Sequence, residues 1–219
     1  KKLDGFVDLT SGYDTTTDDP TVRSYASINN MLETSDGKLA VVRTGETTTY
    51  NVPAGFNPET DNIFQYDNTT KLNVYIDILD ETGAVANTVT AISKEYKQNE
   101  SYYGIRSVVC DKDGNWYINT TDGVEVYNAD FSQKLFEETG DNNINNIVRT
   151  ASGDIAAVMW DESGNFNVKT FDTAKKAFSE GKKLSMSTVY FNEAFTGNSD
   201  YDFFGSDESG ILGLNASDG

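Results

Sequence analysis

Short apolar runs alternate with polar turns along this chain, and the alternation repeats. Three segments align without gaps: "INNMLETSDGKLAVV" from Ile28, "IRSVVCDKDGNWYIN" from Ile105 and "INNIVRTASGDIAAV" from Ile144. In each, a glycine stands nine positions after the isoleucine, at Gly37, Gly114 and Gly153. An apolar stretch, a short polar turn closed by glycine and a second apolar stretch predict a β-hairpin, written three times.

A second anchor follows each hairpin, where an apolar strand runs into a polar turn: "NVYIDILDETG" at Asp80, "VEVYNADFS" at Asn128, "FNVKTFDTAKK" at Asp172 and "ILGLNASDG" at Asn215. The anchors are spaced 48, 44 and 43 residues apart, and "WDESGNF" at Trp160 and "SDESGIL" at Ser206 share Asp-Glu-Ser-Gly. A unit of about 45 residues with four short strands has the length and pattern of a β-propeller blade. The expected fold is therefore all-β, a β-propeller of about four repeats of four-stranded antiparallel blades. The blades fall near residues 28–92, 105–139, 144–184 and 188–219, after an N-terminal segment 1–27.

The first blade carries an insertion, "TGETTTYNVPAGFNPETDNIFQYDNTT", with all but one of the prolines, and reads as a long surface loop. The stretch "LNASDG" stops in mid-blade. Either a small ring closes with "GFVDLTSGY" from segment 1–27 supplying a strand to a bare sheet edge, or the chain is a fragment of a larger propeller, which is favoured.

Composition narrows the chemistry. With 219 residues, 37% hydrophobic and 12% aromatic, the chain has the material for a core. Its 35 acidic against 17 basic residues give a net charge of -18, which repels phosphate backbones and anionic lipid, so neither nucleic-acid nor membrane-surface binding is expected, and with no run of eighteen apolar residues no membrane insertion by this segment is expected. The absence of histidine removes Ser-His-Asp and Cys-His pairs and imidazole zinc sites. The one cysteine, Cys110, ends the apolar run "SVVC" and reads as a small buried hydrophobe. Carboxylate, tyrosine and lysine chemistry remain.

The segment "IRSVVCDKDGNWYINTTDGVEVYNAD" resembles the repeat of the two-component regulator propellers of bacterial sensor proteins. In that repeat a tryptophan usually stands two places after the turn glycine, as Trp116 does after Gly114. The other blades depart from it, with Ile155 and Leu39 at that place. Their Asn, Asp and Tyr-rich texture resembles the propeller segments in extracellular proteins of gut Firmicutes, often joined to a solute-binding module. The resemblance implies a bacterial protein, extracellular or tethered to the cell surface, whose targeting signal is not in this sequence. It implies a non-enzymatic binding or interaction role linked to transport or sensing. The partner would be a small molecule, a glycan or another domain of the same parent chain.

Two constellations are candidates for that role. Asp111, Asp113 and Asn115 alternate around Gly114 as calcium ligands do, but Trp116 and Tyr117 interrupt the series before a bidentate carboxylate. The same residues suit a tight turn, and the copies "TSDGK" and "TASGD" lose the acids, so a turn outweighs calcium. No other cofactor is expected. Tyr102, Tyr103, Trp116 and Trp160 are the candidate ligand-binding aromatics, since exposed rings stack on sugars; core packing between blades competes for the tryptophans. No catalytic residue is assigned. A carbohydrate-active hydrolase or lyase using a carboxylate pair, with Asp161, Glu162, Asp207 and Glu208 as candidates, is the alternative.

Overall fold

A computed structural model describes residues 18–98, 100, 103–139, 144–161, 163, 165–183, 195–196, 200–207 and 210–216. Segment "GFVDLTSGY" lies outside them. Apart from a 3-10 turn at Ile63–Gln65, every regular element among the described residues is a strand. The chain is all-β, built from successive antiparallel meanders of the four-stranded propeller-blade type. Two compact units divide it, Lys1–Glu33 with Gly37–Tyr103, and Thr34–Asp36 with Gly104–Gly219.

The first unit holds one sheet in the order β1 (Val22–Glu33), β2 (Leu39–Tyr50), β3 (Asn68–Leu79) and β4 (Val85–Lys97). Residues 22–27 thus belong to the sheet. The insertion is shorter than the polar text suggests, because β2 runs through "TGETTTY" to Tyr50 and β3 begins at Asn68. The reason is threonine, whose β-branched side chain favours strands whatever its polarity. Its hydroxyls pair across the sheet, Thr48 with Thr70 at 2.9 Å and Thr44 with Ser27 at 3.1 Å. Ala40, Val42, Leu72, Val74 and Ile76 form the apolar part of the sheet, each 0–1% exposed.

Amid these lies a buried ion pair. Arg43 and Asp77 side chains are 1% and 2% exposed, with Arg43 Nε donating to Asp77 Oδ2 at 2.5 Å. Thr88 Oγ1 donates to Asp77 Oδ1 at 2.6 Å, and the guanidinium lies 4.4 Å from the Tyr75 ring centroid. Charge burial of this kind holds only when every partner is present.

The second unit contains three sheets. The first is β5 (Ile105–Cys110), β6 (Trp116–Thr120), β7 (Gly123–Tyr127) and β8 (Lys134–Thr139) in sequential order. The next is β9 (Ile144–Arg149), β10 (Ile155–Trp160) and β11 (Phe166–Asp172), edged by β12 (Ala177–Phe178) and β13 (Lys182–Lys183). The last pairs β14 (Phe195–Thr196), β15 (Phe203–Asp207) and β16 (Gly210–Leu214).

Val109, Tyr117, Val124 and Val126 pack with Ile144, Ile147, Ile155, Ala157 and Met159 in one core between the first two of these sheets. Polar stitches reinforce it. Ser107 Oγ accepts from the Ile147 amide at 3.0 Å, and Arg106 Nη1 donates to the Ile144 carbonyl at 2.8 Å. All five residues of β6 are buried, so both of its faces are covered.

The aligned glycines have left-handed backbones, Gly37 at φ 78°, Gly114 at 88° and Gly153 at 83°. In the second and third hairpins the glycine amide bonds back to the carbonyl three residues earlier, Gly114 to Asp111 at 3.2 Å and Gly153 to Thr150 at 2.9 Å. That is a type I turn closed by a glycine bulge, the reason a side chain is excluded there.

Candidate functional site

The acidic stretch comes first. Asp111 is 3% exposed and its carboxylate is occupied by its own turn. Oδ1 accepts from the amides of Asp113 at 2.9 Å and Asn115 at 2.8 Å. Oδ2 accepts from Asn115 Nδ2 at 2.9 Å and from the Tyr117 hydroxyl at 3.1 Å. Four donors saturate the group, and a cation would have to displace them. Burial and the neighbouring carboxylate push the Tyr117 hydroxyl far above its ordinary value, so it remains a donor. Among the described residues no three His, Cys, Asp or Glu side chains converge as metal ligands do.

The same lock recurs. Asp80 Oδ1 accepts from the Thr82 and Ala84 amides at 2.8 and 3.0 Å, and Asp161 Oδ1 from those of Ser163 and Asn165 at 2.9 and 2.8 Å. At Thr150 a hydroxyl stands in the same place, donating to the Asp154 carbonyl at 3.1 Å. The position three before the glycine is thus Asp or Thr in every such turn, a regularity visible in the sequence once the glycines are aligned.

The four aromatics separate. Tyr102 lies outside the described residues. Tyr103 is 2% exposed, with Lys94 Nζ 3.9 Å from its ring centroid, so no free face is offered. Trp116 is 4% exposed, its ring 5.5 Å from that of Phe131 and its Nε1 donating to the Ala129 carbonyl at 3.3 Å. For Tyr103 and Trp116 packing has won over display, as large apolar area at a covered sheet face dictates. Trp160 differs. It ends β10, is 41% exposed, and lies against Phe166 at a centroid distance of 3.8 Å. Phe166, 2% exposed, is its cross-strand partner and anchors the ring from beneath. Beside it stand the polar turn residues Asp161 and Asn165.

The carboxylates show no candidate proton donor among the described residues whose ionisation is shifted. Asp161 is held below the usual range by the Asn165 amide, Asp154 by Lys112 and Asp80 by Thr82. Asp207 sits in β15, while Glu162 and Glu208 lie outside the described residues. Burial pushes the Cys110 thiol up, which keeps it unreactive.

One feature escaped the sequence. A cleft of about 230 Å3 opens where the end of β2 meets the start of β3 and the end of β4. Its residues are Thr49, Asn51, Asp67, Asn68, Thr69, Lys97 and Gln98, polar positions at strand ends that read singly as solvated turns.

No family model matches this chain, and no curated protein matches it. Solved structures do. It is similar to a puromycin hydrolase at 12% identity and a TM-score of 0.45, covering 82% of this chain and 25% of that one. A puromycin hydrolase mutant complexed with PGG matches at 13% identity and 0.32, over 82% and 33%. The extracellular domain of BT4673 from B. thetaiotaomicron matches at 11% and 0.28, over 85% and 35%. The chain therefore spans a quarter to about a third of the lengths of these proteins. No helix among the described residues is long and apolar enough to cross a membrane.

Proposed function

We propose that this chain is a non-enzymatic binding module of an extracellular or surface-tethered bacterial protein, and that it recognises a glycan or other solute in a transport or sensing system. The observation that supports it is Trp160, an exposed indole held rigid by a buried phenylalanine and flanked by polar turn groups. Such a platform stacks on the apolar face of a sugar ring.

A glycan array on the chain and on Trp160→Ala tests the reading. Binding that disappears in the variant is the expected result. Identical profiles, or none from the chain and its full-length parent, sink it.

The hydrolase or lyase alternative needs one carboxyl held protonated near neutral pH. Among the described residues the shifted aspartates all move the other way, Asp161 with them. Turnover of a panel of polysaccharides, abolished by Asp161→Asn, would revive the alternative. Calcium at Asp111, Asp113 and Asn115 belongs to neither role in this reading. The melting temperature is expected to stay the same with calcium or with a chelator, and a rise of several degrees on adding calcium would show a site there.

A further inference from the structure

We infer that the cleft at the end of the first sheet binds a small zwitterion, with the size and charge pattern of a free amino acid. Asp67 and Lys97 both line it, one anion and one cation. Neither side chain forms an ion pair or hydrogen bond with any described residue, although they share the cleft. Opposite charges that face a common space without meeting are complementary to a ligand carrying both charges, its ammonium towards Asp67 and its carboxylate towards Lys97.

The rest of the lining supports this chemistry. Thr49 and Thr69 contribute hydroxyls, and Asn51 and Gln98 contribute amides, groups that donate and accept equally. No aromatic or aliphatic residue lines the cleft, so a sugar has no ring to stack on. Lys97 argues against a metal ion. On a chain of net charge -18, a purely anionic ligand is repelled at long range, whereas a zwitterion is not.

The walls are fixed by the backbone. The Asn51 amide donates to the Asp67 carbonyl at 2.8 Å, and the Gln98 amide to the Asn68 carbonyl at 3.1 Å. Asn68 Nδ2 also donates to Gln98 Oε1 at 3.2 Å, tying the β3 and β4 ends together. A volume of about 230 Å3 suits one small molecule and not an oligosaccharide. The cleft is independent of Trp160, so either site can fail alone.

The test is a calorimetric and NMR titration of the whole chain with L-serine and L-glutamine, with N-acetylglycine, glycinamide and glycerol as probes lacking one or both charges. The expected result is saturable binding of the amino acids that shifts the Asn51 and Gln98 side-chain signals, with each probe weaker. Lys97→Gln and Asp67→Asn, both at exposed positions, are each expected to weaken binding by about tenfold or more. Three results overturn the inference: no saturable shift at these residues with any amino acid, equal binding of a singly charged or neutral probe, or wild-type affinity in both variants.

Discussion

The first sheet and the sheets of the second unit are the same meander stabilised in two ways. Strands β1 to β4 are 12 or 13 residues long, with hydroxyl pairs joining β2 to β1 and to β3 and a buried Arg43–Asp77 contact between β2 and β3. Strands β5 to β11 are five to seven residues long and place their apolar side chains in a core shared by two sheets. A long sheet can therefore spend buried positions on polar pairs that are costly unless complete. A short one depends on the neighbouring sheet.

The largest expected effect comes from breaking the polar device. Asp77→Ala leaves the Arg43 guanidinium buried without its carboxylate and is expected to cost about 3–5 kcal/mol in urea unfolding. The double variant Arg43→Met with Asp77→Leu is expected to recover most of that loss. If the single variant is as stable as the parent, the pair is not the device described.

Next is the apolar device. Ile147→Ala removes a side chain 1% exposed in the two-sheet core and is expected to cost about 2–5 kcal/mol by the same measurement. A loss below about 1 kcal/mol would mean that the sheets pack more loosely than their burial indicates.

A smaller effect is expected at the turns. At Gly153 a side chain would adopt φ 83° and bring its Cβ within 2.9 Å of the Lys112 Cβ, because the Lys112 amide bonds to the Gly153 carbonyl at 3.1 Å. Gly153→Ala is expected to lose about 1–2 kcal/mol or more, visible as a lower Tm. Gly55→Ala, at φ 99° with open space around it, isolates the strain from the contact.

The smallest effect is with pH. The turn aspartates Asp80, Asp130 and Asp161 are depressed by hydrogen bonds, the first two chiefly by threonine or serine hydroxyls and Asp161 by the Asn165 amide. A carboxylate depressed on folding contributes stability that is present above its ordinary 3.8 and lost as pH falls through the lower folded value. Thermal melts should hold steady down to about pH 4 and decline below it. Asn at positions 80 and 161 should flatten that decline.

The turns were legible because their determinants lie within five residues: an acceptor, two polar residues, a glycine in the left-handed region and the residue after it. The hairpins at 105–120 and 144–160 follow directly from that signal. The Thr-rich stretch 44–50 misled because threonine is polar by composition and a strand former by shape. Arg43 and Asp77 were invisible as a pair, since 34 residues separate them and only the β2–β3 register brings them together. The aromatics showed the limit of composition, for Trp116 and Trp160 are alike in sequence. Their difference is topological: β6 is covered on both sides, whereas Trp160 stands at the last position of β10, beside a turn.

The aspartate locks have a kinetic consequence. Every bond that Asp80, Asp111 and Asp161 make to their turn amides spans only two to four residues, so it forms without waiting for any distant part of the chain. These hairpins can close before any sheet finds its neighbour, whereas the Arg43–Asp77 contact must wait for its strands to align. Refolding should begin at the turns, with hairpin signals arriving ahead of the burial of Tyr117 and Phe166.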